Sequence, residues 1–443
     1  MPNAISELAA FCGSIETVGE TTLKAARRTV LDTIGAAASG ATTPGGRASF
    51  KAASAIWGAG ASSIWFSRTL LTPAGATFVN ATYGASLDLD DGHRAAAGHP
   101  AAAIVPAVLA IVGCHAVSGR RLLTAIAIGY EIAVRAAASR GINSLRTTDT
   151  GLWCGYGAAA AAGWLMAFPL PVIAHAMAIA GQTATGQFAT GWTRVGHTVK
   201  EGIPWAAANG IQAAYLAAAG HRGPLDLLDE EPVYNRTRLL AGLGDAWAIE
   251  QAYFKRYSCC RWAHAAIEAA VLLQDDRKLS ARAIEGIVVE IFDRALTLPN
   301  QVIPASNEAA QYSIPFCIAV ALLHGQTALL PLEDRHLADP DVIALASRVR
   351  LEASPRYVGA FPATTPARVT ISAGGEIFSL EVTYPKGEPG NPISDAELGE
   401  KFATLTSRLP MSSLQARSIS DAVSALMDGT VTTSLLDALC NAS

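Results

Sequence analysis

The sequence predicts a mainly α protein: a large, discontinuous all-helical domain built from residues 1–275 and 393–443, with a smaller α+β lid domain inserted at 276–392. Three observations carry this reading. Apolar residues recur at helical spacing almost without a break to about residue 275. Runs rich in β-branched residues then appear at 284–292, 367–372 and 377–384, and helical spacing returns after a proline-rich loop. A chain of 443 residues is also too long for one ordinary core, so a division is expected on size alone.

The elements follow in order. A helix at 5–14 opens the chain, and the next, at 21–39, shows its period in Leu23, Ala26, Val30, Ile34 and Ala38, at steps of three and four. Further helices are expected at 46–57, 73–87, 100–117, 119–138, 152–167, 170–182, 202–219 and 262–275. Pro73 suits a first helical turn, where its missing N–H leaves nothing unsatisfied. Short linkers favour antiparallel neighbours in a bundle. In the inserted region, 367–372 and 377–384 flank Ala373-Gly374-Gly375-Glu376 and read as a hairpin. Helices at 307–323 and 338–347 lie between strands, which suggests an antiparallel sheet with helices beside it. The last helices, 394–406, 418–427 and 433–440, are too short to bury a core alone and are expected to rejoin the large domain.

Composition narrows the function. The chain is 51% hydrophobic and 16% charged, and rich in Ala and Gly, which suits closely spaced buried helices and not disorder. A net charge of -4 without a basic block argues against a nucleic-acid surface. The seven cysteines are scattered and lack a CxxC spacing, so they read as buried residues or free thiols in a reducing compartment. Met1-Pro2-Asn3-Ala4 has no basic stretch leading into an apolar one, so no signal peptide is expected. Residues 151–193 carry no Lys, Arg, Asp or Glu, a length that would permit a membrane span. Pro169, Pro171 and the polar run at 182–187 favour two core helices instead, and a soluble cytoplasmic protein is expected.

Three polar clusters interrupt this apolar background. The first runs from Leu87-Asp88-Leu89-Asp90-Asp91-Gly92-His93 to Gly98-His99-Pro100. Carboxylates and imidazoles beside a core are costly unless paired, metal-bound or used. Asp88, Asp90, Asp91, His93 and His99 offer donor atoms for a divalent metal. An isoprenoid-synthase reading would need a second acidic motif on a facing helix, and the sequence has none. The second cluster is Arg194-Val195-Gly196-His197-Thr198-Val199-Lys200-Glu201-Gly202, before an Ala-rich helix whose dipole would lower the pKa of Lys200 and leave it a neutral base. The third, Lys255-Arg256-Tyr257-Ser258-Cys259-Cys260-Arg261-Trp262-Ala263-His264, lies at the expected domain join and suits a small polyanion. No GxGxxG after a strand, Walker A loop or HExxH is present.

Together with Val79-Asn80-Ala81, Gly129-Tyr130-Glu131, Gln311-Tyr312-Ser313-Ile314-Pro315-Phe316, Gly390-Asn391-Pro392 and Lys401-Phe402, these clusters resemble the MmgE/PrpD family over nearly the whole chain. That resemblance implies a helical domain made from both chain ends, an inserted α+β lid and a homodimer. It also implies acid–base chemistry on a small di- or tricarboxylate next to a carboxylate, with neither metal nor organic cofactor. The family's reactions include dehydration of 2-methylcitrate, decarboxylation of cis-aconitate and epimerisation of iminodisuccinate. Carried over residue by residue, Asp88 and His99 match active-site positions of the first motif, Lys200 a lysine of the second and Lys255 one of the third.

The chain departs from the family pattern at four places. Gly92 stands where the decarboxylase has a hydroxyl residue, Ile203 where many members have histidine, and Phe316 at a tyrosine position. Near Thr148, where the decarboxylase has a histidine, the chain offers Thr147, Thr148 and Asp149. With these acids gone, the expectation is a two-base epimerase of an iminodisuccinate-like acid, and the alternative a hydro-lyase or decarboxylase. Lys200 and His99 would be the acid–base pair, with Asp88 orienting His99. Lys255, Arg256 or Arg261 would bind substrate carboxylates from the lid side, while Asp90 and Asp91 would fix the loop. A non-catalytic small-acid binding protein is the rival from another class.

Overall fold

Thr72 begins the helix that leads into the acidic segment: its hydroxyl accepts from the Gly75 N–H, and Pro73 occupies the first turn as its fixed φ favours. The resulting helix, Pro73–Ala85, is buried along almost its full length. It packs against Glu20–Gly40, Ala101–Val112 and Ile203–Ala218 in a bundle whose inner faces are Ala and small aliphatics. On Glu20–Gly40 the periodic residues Leu23, Ala26, Val30, Ile34 and Ala38 are all fully buried. The structure is a computed structural model that describes residues 2–142, 145, 148–184, 200–429 and 432–440. It is mainly α, 57% helical, with small sheets. The stretch Arg194 to Val199 of the second polar cluster, and Thr147, lie outside the described residues.

Buried apolar side chains form two large clusters. One draws on residues 4–254 and 393–439, the other on Ile142 and residues 257–382. Cys154–Leu165 and Leu170–Gln182 belong to the first as core helices, and no described helix is long and apolar enough to cross a membrane.

The sheet in the second cluster corrects the antiparallel expectation. Its strand order is Val349–Ala353, Ile284–Ile291, Ala367–Ala373, Glu376–Val382, and the first pair is parallel. The intervening helices Ile314–His324 and Pro340–Ala346 supply the crossover that a parallel pair requires. Val349–Ala353 escaped the sequence reading because it is a half-exposed edge strand bearing Arg350 and Glu352. The expected hairpin is present, closed by Gly374 and Gly375, both with positive φ.

The helix expected at 307–323 is two helices, Asn307–Ala310 and Ile314–His324. Pro315 starts the second, and the Ser313 hydroxyl caps it by accepting from the Phe316 N–H. Gln311 and Tyr312 are thereby left in a loop between the two, which positions the site.

Candidate active site

Distant stretches of chain are laced together around the acidic segment. Gly92 and Tyr253 exchange backbone hydrogen bonds of 3.0 and 2.9 Å, and the Phe254 N–H donates to the Gly387 carbonyl at 3.0 Å. The Ser258 hydroxyl donates to the Leu87 carbonyl at 2.6 Å. Lys401, buried and paired with Asp32 at 2.6 Å, donates to the Leu89 carbonyl at 2.7 Å. These bonds hold Asp88 in the left-handed region, at φ 54, a conformation that aspartate tolerates better than most residues.

Asp88 is the hub. Its Oδ1 lies 2.7 Å from Lys255 Nζ, 2.8 Å from Lys200 Nζ and 3.5 Å from His99 Nε2. Burial alone would raise its pKa, but the two ammonium groups and His99 outweigh that and hold the carboxyl far below the usual range. Lys200 Nζ also donates to Glu201 Oε1 at 3.0 Å and to the Tyr312 hydroxyl. Glu201 in turn accepts from the Thr150 hydroxyl at 2.6 Å.

The expected neutral lysine is therefore overturned. Burial opposes the ammonium form of Lys200, but the contacts to Asp88 and Glu201 more than compensate and hold its pKa well above normal. Helix Ile203–Ala218 does start just beyond it. A partial helix charge within one turn is nevertheless weaker than two full carboxylates in contact.

His99 is set in the same way. Its Nδ1–H donates to the Asp91 carbonyl at 2.8 Å, leaving Nε2 toward Asp88 and Glu201. Burial and Lys255 push its pKa down, while Asp90 and Glu201 prevail and raise it. Asp91 fixes the loop: it accepts from the Ala101 N–H at 3.1 Å and the Tyr130 hydroxyl at 2.8 Å, and burial lifts its pKa to about 7.

Beside this cluster opens a small cleft of about 80 Å³. Asp88, His99, Lys200, Glu201 and Tyr312 line it together with the cations Arg94, Arg261 and Arg294. Arg261 reaches Glu388 at 2.7 Å, Arg94 pairs with the same carboxylate, and both guanidinium groups lie against the Tyr253 ring, at 4.9 and 5.2 Å from its centroid. Arg294 donates to the carbonyls of Ile142 and Leu145 and stands over Phe361.

The structure thus gathers Asp88, His99, Lys200 and Arg261 at one cleft. Lys255 is fully buried behind Asp88 and does not line the cleft, nor does half-buried Arg256. Lys255 meets the site through its 2.7 Å ion pair with Asp88. Glu201 and Tyr312 had a signal, since each stands in a motif noted for its neighbours. Arg94 stands within the acidic segment itself, directly after His93, and was passed over; Tyr253, Arg294 and Glu388 had no signal, because only folding brings them to that loop.

One donor atom each of Asp88, Asp90 and His99 could converge on a metal ion, lying within 4.8 Å of one another. The positions around Asp88 Oδ1 are taken by two ammonium groups, whose charge opposes a cation there.

Residues 6–237 match the MmgE/PrpD N-terminal domain, and residues 257–426 match the MmgE/PrpD C-terminal domain. The chain belongs to the MmgE/PrpD family. It is 27% identical to a cis-aconitate decarboxylase of Aspergillus terreus (strain NIH 2624 / FGSC A1156), covering 94% of this chain and 91% of that one. Identity to the cis-aconitate decarboxylase of Homo sapiens is 26%, over 87% of this chain and 84% of that protein. A 2-methylcitrate dehydratase of Cupriavidus necator is 31% identical over 35% of this chain and 34% of its own.

Two departures from the MmgE/PrpD pattern now have physical accounts. A Cβ at Gly92 would stand 2.3 Å from the Tyr253 hydroxyl and ring, so Tyr253 fills the space that a side chain at 92 would need. Phe316 is buried in its helix, and the phenol at the cleft comes from Tyr312 four positions earlier. Gly92→Ala is expected to push Tyr253 away from Arg94 and Arg261 and to cost about 1–3 kcal/mol as overpacking. An unchanged urea midpoint would count against this packing account.

Proposed function

We propose that this protein is a lyase of small di- or tricarboxylates, and that its reaction is decarboxylation next to a retained carboxylate. One observation carries the reading: His99 and Lys200, at the head of the cleft, both stand against carboxylates that raise their pKa values, beside a wall of arginines. Such a site is prepared to donate protons. In decarboxylation the C–C bond to one carboxylate breaks, carbon dioxide leaves, and the electron pair stays on the substrate carbon. Lys200, through its contact with the Tyr312 hydroxyl, delivers the proton that quenches it. Arg94, Arg261 and Arg294 hold the remaining carboxylates and the charge developing on them.

A two-base epimerase needs one unprotonated base facing one acid, whereas the neighbouring carboxylates shift both His99 and Lys200 toward the protonated form, which favours a lyase. That reading also rested on missing acids, a place that Tyr312 and Lys200 take. The cis-aconitate decarboxylases and the 2-methylcitrate dehydratase among the relatives favour a lyase as well. A hydro-lyase is the second reading, favoured by the dehydratase relative. Glu201 or Asp88 would accept the substrate proton while Lys200 protonates the leaving hydroxyl.

The test is incubation with a panel of four- to seven-carbon polycarboxylates, cis-aconitate included, in heavy water, followed by proton NMR and carbon dioxide release. Carbon dioxide with one deuterium in the product supports decarboxylation. An alkene without carbon dioxide marks the hydro-lyase. Deuterium washed into recovered substrate, with neither product, overturns the lyase reading in favour of epimerisation.

A further inference from the structure

Away from the cleft, the C-terminal end of helix Ile314–His324 meets the start of helix Pro340–Ala346. His324 is the last residue of the first helix, and Asp339 caps the second. Asp339 Oδ1 accepts from the Asp341 N–H at 2.9 Å, which aims Oδ2 at His324 Nε2, 2.8 Å away. His336 comes from the turn between them. It is 3% exposed, and its Nε2 has no hydrogen-bond partner among the described residues. Its ring lies 4.7 Å from that of His324, centroid to centroid.

We propose that His324, His336 and Asp339 form a binding site for a divalent transition-metal ion, with Zn2+ the best fit. One donor atom from each residue lies within 4.8 Å of the other two, and His324 Nε2 and Asp339 Oδ2 are 2.8 Å apart. Those limits bracket the roughly 3.3 Å between ligand atoms of a tetrahedral Zn2+ bonded at about 2.0–2.1 Å. Two imidazoles and one carboxylate are donors that suit zinc. The buried Nε2 of His336, otherwise a costly orphan, gains a partner when the ion binds. His324 and Asp339 keep 37% and 23% of their side-chain surface exposed, which gives the ion an entry path and leaves room for water as a fourth ligand. Arg335 and Arg408 line the same groove, and both are paired with Glu333, at 2.9 and 2.5 Å, which offsets part of their charge toward a cation. Bound metal would staple the 325–338 connection to both helices.

The experiment is calorimetric titration of EDTA-stripped protein with Zn2+, alongside thermal melts. We expect an uptake that the His324→Ala/His336→Ala double variant lacks, and a Tm that rises with Zn2+ in the parent only. Each single alanine variant should weaken that uptake by about tenfold or more, as loss of support at a metal site does. His336→Gln, which keeps a polar group in the pocket, controls for folding: it should melt near the parent without Zn2+ and gain nothing from it. Equal Zn2+ uptake and equal Tm shifts in the parent and the folded variants overturn the proposal.

Discussion

Replacing Lys200 with methionine is expected to lower kcat/KM by about 10²–10⁴, the contribution of a positioned acid or base. The loss should fall mainly on kcat, because the proton moves only as the substrate carbon gains its electron pair. Asp88 retains Lys255 at 2.7 Å, so folding should survive. Arginine at 200 should not restore the rate, since its larger planar guanidinium cannot take the place of an ammonium that contacts Asp88, Glu201 and Tyr312 at once. The activity limb on the alkaline side supplies a second reading. His99 has its pKa raised by Asp90 and Glu201 against burial and Lys255, so a required imidazolium is lost as pH rises through a value above the ordinary histidine range. The same group stabilises the fold fully below its unfolded pKa, and that stability is lost as pH rises through the folded one. Full turnover by Lys200→Met on a verified substrate would remove the lysine from the mechanism.

Asp88→Asn is expected to destabilise the protein by about 3–5 kcal/mol, the cost of breaking a buried ion pair by removing one partner. Lys255 is fully buried, and Asp88 is the carboxylate in contact with it. Asparagine tolerates the left-handed backbone at 88, so the variant tests the charge and not the loop geometry. Adding Lys255→Met should recover part of the lost stability, and the double-mutant cycle isolates the coupling. The alkaline limb of activity should also move to lower pH, because His99 loses a neighbouring negative charge. A single variant whose urea midpoint matches the parent would show that Asp88 is not the hub described.

Legibility in the sequence followed sequence distance. Helical periods were readable because each rests on neighbours three and four positions away, as in Leu23 to Ala38. The hairpin around Gly374-Gly375 was readable for the same local reason. The edge strand Val349–Ala353 was not, since its partner lies some sixty positions earlier and its half-exposed faces carry no clean alternation. Likewise, Pro315 shows in the sequence, but its effect of breaking a helix and freeing Tyr312 depends on Ser313 capping the next one.

The sequence by itself determined the mainly helical class, the family, and the identity of Asp88, His99 and Lys200 as the residues to watch. Their protonation was decided only by tertiary structure. Read alone, Lys200 sits before a helix and looks like a candidate neutral amine. Folded, it touches Asp88 from 112 positions earlier in the chain and Tyr312 from 112 positions later, and becomes a held ammonium. A pKa is set by charges within a few ångströms, and those charges come from parts of the chain that only the fold brings together.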